Sequence, residues 1–303
     1  MIRFVFCEIA PSQSLVGVIS EARDCHGIAG RMRQWHSLFF EKEYRARVDF
    51  VLAVGNLGVK WFEDCRYRSA RIFHWGYFVE GASHPEPASR KASNKVEIAY
   101  IGQLVPRKGV DILLRAMAQV GRTNWNLKVV GGGASAQYLK KLSAKLGLKN
   151  HITFIEAVPN YRTREILSCL DVFVLPSRFD GWGAVVNEAL MAGTPVVCTD
   201  RCGASILVES SGFGAVAMAR STESMAYSLR EMIDRGPLAP HLRKTIREWT
   251  NCIRGERAAE FFLEILEYCE NGGTKPNAPW LSNIRPTEFQ VTTWRGIREN
   301  VSQ

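Results

Sequence analysis

The chain has 303 residues, 46% of them hydrophobic and 23% charged, with a formal net charge of +9. This length and apolar content suit one large or two ordinary domains with real cores and exclude a disordered chain. The positive balance reads either as a solvated basic surface or as a preference for an anionic partner, whether nucleotide, phospholipid surface or nucleic acid.

The first residues, MIRFVFCEIAPSQSLVGVIS (1–20), hold a short apolar run broken by Glu8. They make a poor secretory leader and are too short to span a bilayer, and nothing later approaches a membrane span. IRFVFC (2–7) predicts a strand, and GIAGRMRQWHSLFFEKEYRARV (27–48) a long basic helix. Its cations Arg31, Arg33, Lys42, Arg45 and Arg47 read first as a solvated helix face, and second as a contact for an anionic membrane or acceptor. DFVLAV (49–54) predicts a strand, NLGVKWFEDC (56–65) a short helix and ARIFHW (70–75) another strand. EGASHPEPASRKASNK (80–95) is rich in Ser, Pro, Ala and charge and reads as an interdomain linker.

From Lys95 to about Val216, short apolar runs alternate with helical spacing. Strands are predicted at 96–102, 126–131, 151–156 and 171–176, with TPVVCTD (194–200) closing the series. Helices are predicted at 109–120, 136–147, 163–170 and 184–193. Continuous Val, Ile and Phe strands, each followed by a helix, imply a doubly wound parallel sheet covered on both faces. After residue 216 the chain reads as helical, and GERAAEFFLEILEYC (255–269) puts Ala258, Phe261, Phe262, Ile265 and Leu266 on one face. Past Gly272 no period is clear, so the tail is either disordered or an arm packed across the molecule. The division is a partial N-terminal domain (1–80), a linker (81–95), a doubly wound domain with closing helices (96–272) and an irregular tail (273–303). The eight cysteines form no C-x-x-C pair, which argues against a zinc ribbon or redox motif and for a reducing compartment.

Ligands of such sheets bind at the carboxyl ends of the strands, and three turns there carry unusual residues. In GQLVPRKGVD, Arg107 and Lys108 sit just before a helix, a combination suited to phosphate, with a basic surface loop as the competing reading. VVGGGAS permits close backbone approach to a ligand but is not a G-x-G-x-x-G, so dinucleotide binding is not inferred. In FDGWGAVVNEAL, Gly181 and Gly183 free the backbone so that the N–H groups of residues 182–185 can converge on a pyrophosphate. Glu188, about one and a half turns into the helix, suits a ribose diol. Asp180, before the helix, suits sugar hydroxyls. The competing readings are a solvated helix position for Glu188 and an N-cap for Asp180.

Residues 97–216 resemble the C-terminal, donor-binding domain of GT-B glycosyltransferases of the large retaining family 4 (group 1). The carriers are DGWGAVVNE, an acid and a Glu separated by seven residues with Asp where Glu is usual, the surrounding PSRFDGWGAVVNEALMAGTPVV, and IGQLVPRKGVDILLRA. FIEAVPN, REILSCLDVFVLPS, CGASILV and the late REWTNCIRGERAAEFFLEIL also fit. The resemblance implies that Lys108 neutralises the donor diphosphate, Glu188 holds the ribose and Asp180 binds sugar hydroxyls near the anomeric carbon. It implies that the backbone of Trp182, Gly183, Ala184 and Val185 receives the β-phosphate. It also implies transfer with retention, no metal, and no cofactor beyond the nucleotide-sugar co-substrate.

Two departures stand out. Gln103 falls where the family carries a phosphate-binding arginine, which leaves Arg107 as the substitute. The acceptor-side domain lacks the glycine-rich turn and histidine context of the family, so its opening half is expected to be missing; His26, His36 and His74 are the histidines of 1–80. The reading is therefore a complete donor domain plus an incomplete Rossmann-like N-terminal domain. The expected function is transfer of a sugar from a nucleotide-sugar donor to a glycan or lipid-linked acceptor, as in polysaccharide biosynthesis. A donor-binding module or truncated remnant without its own activity is the alternative, and a nucleotide-sugar epimerase fits the acid spacing less well. No nucleic-acid partner is expected, and the location is cytoplasmic or peripheral at the inner membrane face.

Overall fold

The computed structural model describes residues 14–24, 27–80 and 94–282. The strand expected at 2–7, nearly all of the linker (81–93) and the tail beyond residue 282 lie outside the described residues, as do Cys7, Cys25 and His26.

The N-terminal unit holds β1 (Gly17–Glu21), α1 (Gly27–Phe40), α2 (Lys42–Arg47), β2 (Phe50–Val54), α3 (Gly55–Asp64) and β3 (Ile72–Trp75). Its strands form a parallel sheet in the order β1-β2-β3, with Val51 opposite Ile72 and Glu21 opposite Val54. β1 was not expected from the sequence, because the apolar residues of its GVISE segment are few and interrupted. The long helix expected at 27–48 is two helices separated at Glu41.

The second unit runs β4 (Val96–Ile101), α4 (Val110–Gln119), β5 (Trp125–Val130), α5 (Ala136–Lys145), β6 (Ile152–Ile155), α6 (Asn160–Ser168), β7 (Val172–Leu175), α7 (Val185–Met191), β8 (Val196–Thr199), α8 (Ser205–Ser211) and β9 (Gly214–Ala217). Then come α9 (Thr222–Asp234), α10 (Pro240–Trp249), α11 (Gly255–Asn271) and α12 (Pro279–Ser282). The six parallel strands are ordered β6-β5-β4-β7-β8-β9, a doubly wound sheet as expected. VFVL of β7 and VVCT of β8 are buried throughout, the mark of strands covered on both faces. The sheet has one strand more than expected: β9 is GAVA, too small in side chain to signal a strand. α8 was also not singled out as a helix.

The two units share one core. β2 is buried on both faces. Phe50, Leu52 and Val54 join the main core, while Val51 and Ala53 pack a smaller one with Trp61, Phe62 and Ile72. α11 closes the shared core with the expected apolar stripe. Trp75 on β3 stacks on Phe261 at 5.7 Å and meets Phe262 at 6.2 Å, and Phe50 meets Phe262 at 6.0 Å. The described part of the tail is an arm packed on the molecule: Trp280 is buried against Phe78 and Trp182.

Candidate functional site

In a sheet of this order the crevice opens where neighbouring strands send their chains to opposite sides, here between β4 and β7. The loops after those strands contain the residues singled out from the sequence. They are joined by backbone, the Arg178 amide donating to the Arg107 carbonyl at 2.8 Å. Arg178 adds a bidentate pair to Asp111 at 2.8 and 2.7 Å. Burial pushes the Asp111 carboxyl up, but the Arg178 guanidinium outweighs it and the net displacement is downward. This clamp was not anticipated: both residues lie within the quoted motifs, but they are 67 residues apart and nothing in the motifs pairs them.

The central feature is an ion pair. Lys108 Nζ donates to Asp180 Oδ2 at 2.5 Å, with the side chains 17% and 12% exposed. Ser177 Oγ donates to the same oxygen at 3.3 Å, and Arg107 Nη1 lies 3.8 Å from Oδ1. The sequence assigned Lys108 and Asp180 to different parts of a ligand, and the fold brings them into contact. Arg107 also donates to the Phe179 carbonyl at 3.0 Å, which holds a half-exposed cation beside the pair. Gln103 presents its side chain to solvent and contributes its carbonyl, which accepts from Tyr100 at 2.7 Å. Burial pushes the Tyr100 phenol up, with Asp180 adding to the shift and Arg107 opposing it.

Asp180 is not a helix cap. The residue before α7 is Ala184, and no side chain caps that end. Instead Asp180 bridges to the loop after β8: its amide donates to Arg201, and its carbonyl accepts from Gly203 at 3.1 Å. Cys202 Sγ donates to the Trp182 carbonyl at 2.9 Å, and the Ala204 amide donates there at 2.8 Å. Gly183 completes the turn at φ +92°, where a Cβ would meet Cys202 Sγ and Leu175 Cδ2 at 2.8 Å. Among the described residues, the amides of Ala184 and Val185 donate to no acceptor. The Trp182 side chain faces away from this turn: it is buried, and its Nε1 donates to Asn187 Oδ1 at 2.8 Å.

Glu188 lies in the first turn of α7, because the helix begins at Val185, later than the sequence suggested. It is half-buried and forms no hydrogen bond or ion pair through its carboxylate among the described residues. Burial raises its pKa and the charge of Arg164 opposes that.

The N-terminal unit also reaches the site. Glu21, at the end of β1, has its carboxylate where a Cβ on residue 181 would fall, so that it packs against Gly181, and it accepts from the Tyr77 hydroxyl. That bond, with burial and the charges of Glu21 and Asp180, pushes Tyr77 up to about 12. The Tyr77 carbonyl accepts from Asn187 Nδ2 at 2.7 Å. No sequence signal marked Glu21 or Tyr77. The GGGAS turn owes two glycines to loop packing: Gly131 and Gly133 press on the carbonyls of Gly102 and Leu104.

Residues 85–249, just over half of the chain, match the family profile described as "Glycosyl transferases group 1". The chain belongs to the group 1 glycosyltransferases. The GDP-mannose-dependent alpha-(1-6)-phosphatidylinositol monomannoside mannosyltransferase of Mycobacterium tuberculosis is 30% identical over 181 residues, covering 54% of this chain and 47% of that protein. The D-inositol 3-phosphate glycosyltransferase of Rhodococcus erythropolis is 26% identical over 195 residues, covering 60% and 44%. This glycosyltransferase chain thus spans about half the length of the curated relatives it matches. Among solved structures, the lipopolysaccharide outer core galactosyltransferase WaaB in its apo form aligns with a TM-score of 0.66 at 15% identity, covering 88% of this chain and 78% of that one. Anabaena HepE in complex with UDP and glucose aligns with a TM-score of 0.61 at 16% identity, covering 86% and 75%. At these identities the likeness is one of fold, the GT-B arrangement of parallel α/β units.

Two further facts frame the site of this glycosyltransferase. Among the described residues, no group of three or more His, Cys, Asp or Glu side chains could hold a metal ion. Nor, among them, is any helix long and apolar enough to cross a membrane.

Proposed function

We propose that this group 1 glycosyltransferase binds a nucleotide-sugar donor between β4 and β7 and transfers its sugar, with retention of anomeric configuration, to a glycan or lipid-linked acceptor. The observation that carries the reading is the largely buried Lys108–Asp180 pair, together with the Ala184 and Val185 amides at the start of α7, which donate to no acceptor among the described residues. A lysine already paired to a carboxylate is placed to exchange that partner for a diphosphate. Arg107 supplies a second cation at the same place and covers the charge missing at Gln103. Once relieved of Lys108, Asp180 is free to accept from sugar hydroxyls. The Ala184 and Val185 amides receive the β-phosphate, and Glu188 accepts from the ribose diol. As the glycosidic bond to the diphosphate breaks, these cations and amides stabilise the charge on the leaving oxygen, in a site that needs no metal. Relatives support both bases: one is named for GDP-mannose and a structural neighbour holds UDP.

The second reading is a donor-binding module without transfer of its own. Calorimetric titration with UDP and GDP, beside Lys108→Ala, tests the donor site. Micromolar binding of one nucleotide, weakened in the variant by about 1.5–3 kcal/mol for a lost charge-assisted contact, is expected. No binding, or equal binding by the variant, overturns the assignment. Binding without release of sugar from any nucleotide-sugar, to water or to a glycan, moves the conclusion to the second reading.

A further inference from the structure

Glu21 is a carboxylate that the fold delivers to the candidate site with no cation to meet it. It is the last residue of β1 and is half-buried. Its Oε1 accepts from the Tyr77 hydroxyl, and its Oε2 lies against Gly181. Among the described residues no donor reaches Oε2. Tyr77 is itself fixed from behind. Its carbonyl accepts from Asn187 Nδ2 at 2.7 Å, and its ring meets Trp182 at 5.9 Å between centroids. The N-terminal unit therefore holds one open acceptor oxygen at the turn that carries Asp180.

The two carboxylates at this turn stand differently. Asp180 is matched by Lys108 at 2.5 Å and by Arg107 at 3.8 Å. Glu21 is in no ion pair among the described residues. Both charges help to push up the Tyr77 phenol, which puts them on one patch. An unmatched carboxylate repels phosphate and any other anion. It attracts a neutral group that has hydroxyls to donate. In a nucleotide-sugar the part that fits this description is the sugar, and a sugar carrying its own carboxylate does not fit.

Granted the donor site proposed above, we propose that Glu21 is the N-terminal unit's contact to the transferred sugar, accepting from one of its hydroxyls, and that it restricts the donor to neutral sugars against uronic acids.

The test is calorimetric titration of the wild type and Glu21→Gln with UDP, UDP-glucose and UDP-glucuronate, and with GDP, GDP-mannose and GDP-mannuronate. In the series whose base binds, Glu21→Gln should hold the neutral nucleotide-sugar about tenfold more weakly and the nucleoside diphosphate as the wild type does. Its preference for the neutral sugar over the uronate should shrink. Gln keeps the side-chain length and an oxygen for Tyr77, so thermal unfolding should not change. Gly181→Ala is a second route to the same effect. Its Cβ takes the place of Oε2, and Gly181 has no positive φ that would strain an alanine. It should reproduce the sugar-dependent loss and add nothing to Glu21→Gln. Equal losses for the nucleoside diphosphate and the nucleotide-sugar would make Glu21 a structural residue and overturn the proposal. A wild type that prefers the uronate overturns it too. Lys108-dependent binding that Glu21→Gln leaves unchanged overturns this proposal alone, whereas a wild type that binds none of these ligands overturns the donor reading with it.

Discussion

Burial raises the pKa of Glu188 above its ordinary value of 4.5, and Arg164 opposes the rise. A carboxyl raised in this way favours the fold when protonated, so its contribution is complete below 4.5 and is lost as pH rises through the folded value. Glu188→Gln should therefore melt at a higher temperature than the wild type near neutral pH and at the same temperature in acid below the ordinary value, as calorimetric melts across pH would show. An acid kept against its own solvation is consistent with use by a ligand. Glu188→Ala should weaken a nucleoside diphosphate and barely affect free pyrophosphate. Equal losses in the two titrations would remove the ribose from its assignment. Asp180 makes the complementary case. In Asp180→Asn, Lys108 loses the anion that competes with the diphosphate, so UDP or GDP should bind tighter by roughly 1 kcal/mol, about fivefold. Sugar transfer should fall in the same variant, because an amide no longer accepts as a carboxylate does. Weaker nucleotide binding there would contradict partner exchange at Lys108.

At the scale of elements, the opposite end of the sheet carries its own polar fixture. Arg243 on α10 is buried, and its guanidinium donates to the Leu170 carbonyl at 2.7 Å, the Thr194 hydroxyl at 3.1 Å and the Gly193 carbonyl at 3.3 Å. Leu170 and Thr194 precede β7 and β8, so this tie sits at the strands' amino ends, away from the candidate site. Arg243→Met keeps the length and removes the donors. A loss of about 2–4 kcal/mol in urea unfolding is expected, with nucleotide affinity unchanged in the folded protein. The same scale shows why parts of the fold were legible and parts were not. β4 to β8 were readable because long runs of Val, Ile, Leu and Phe have few alternatives to a covered parallel strand. GAVA and GVISE carry no such run and are strands only because neighbours pair with them. The acids at 180 and 188 and the cations at 107 and 108 were legible through motif and spacing. Their partners were not: Lys108 meets Asp180 across 72 residues, Arg178 meets Asp111 across 67, and Glu21 arrives from the other unit.

For the molecule as a whole, the two units are held by aromatic contacts and by the arm around α12. Trp280 is buried, yet its Nε1 finds no acceptor among the described residues. Trp280→Phe should therefore cost under about 1 kcal/mol, while Trp280→Ala, which empties the space between Phe78 and Trp182, should cost about 3–5 kcal/mol. Thermal melts of the pair would separate packing from polarity, and equal costs would mean that the indole N–H matters after all. α11 has a different consequence. It supplies Phe261 and Phe262 to the face of the N-terminal sheet that joins the main core, and Arg71 reaches the Cys269 carbonyl across 198 residues of sequence. On the ribosome, the first-made sheet must wait for the last-made long helix. The doubly wound unit can close on its own local crossovers while β2 and β3 still present bare aromatic surface, so the part synthesised first is finished last.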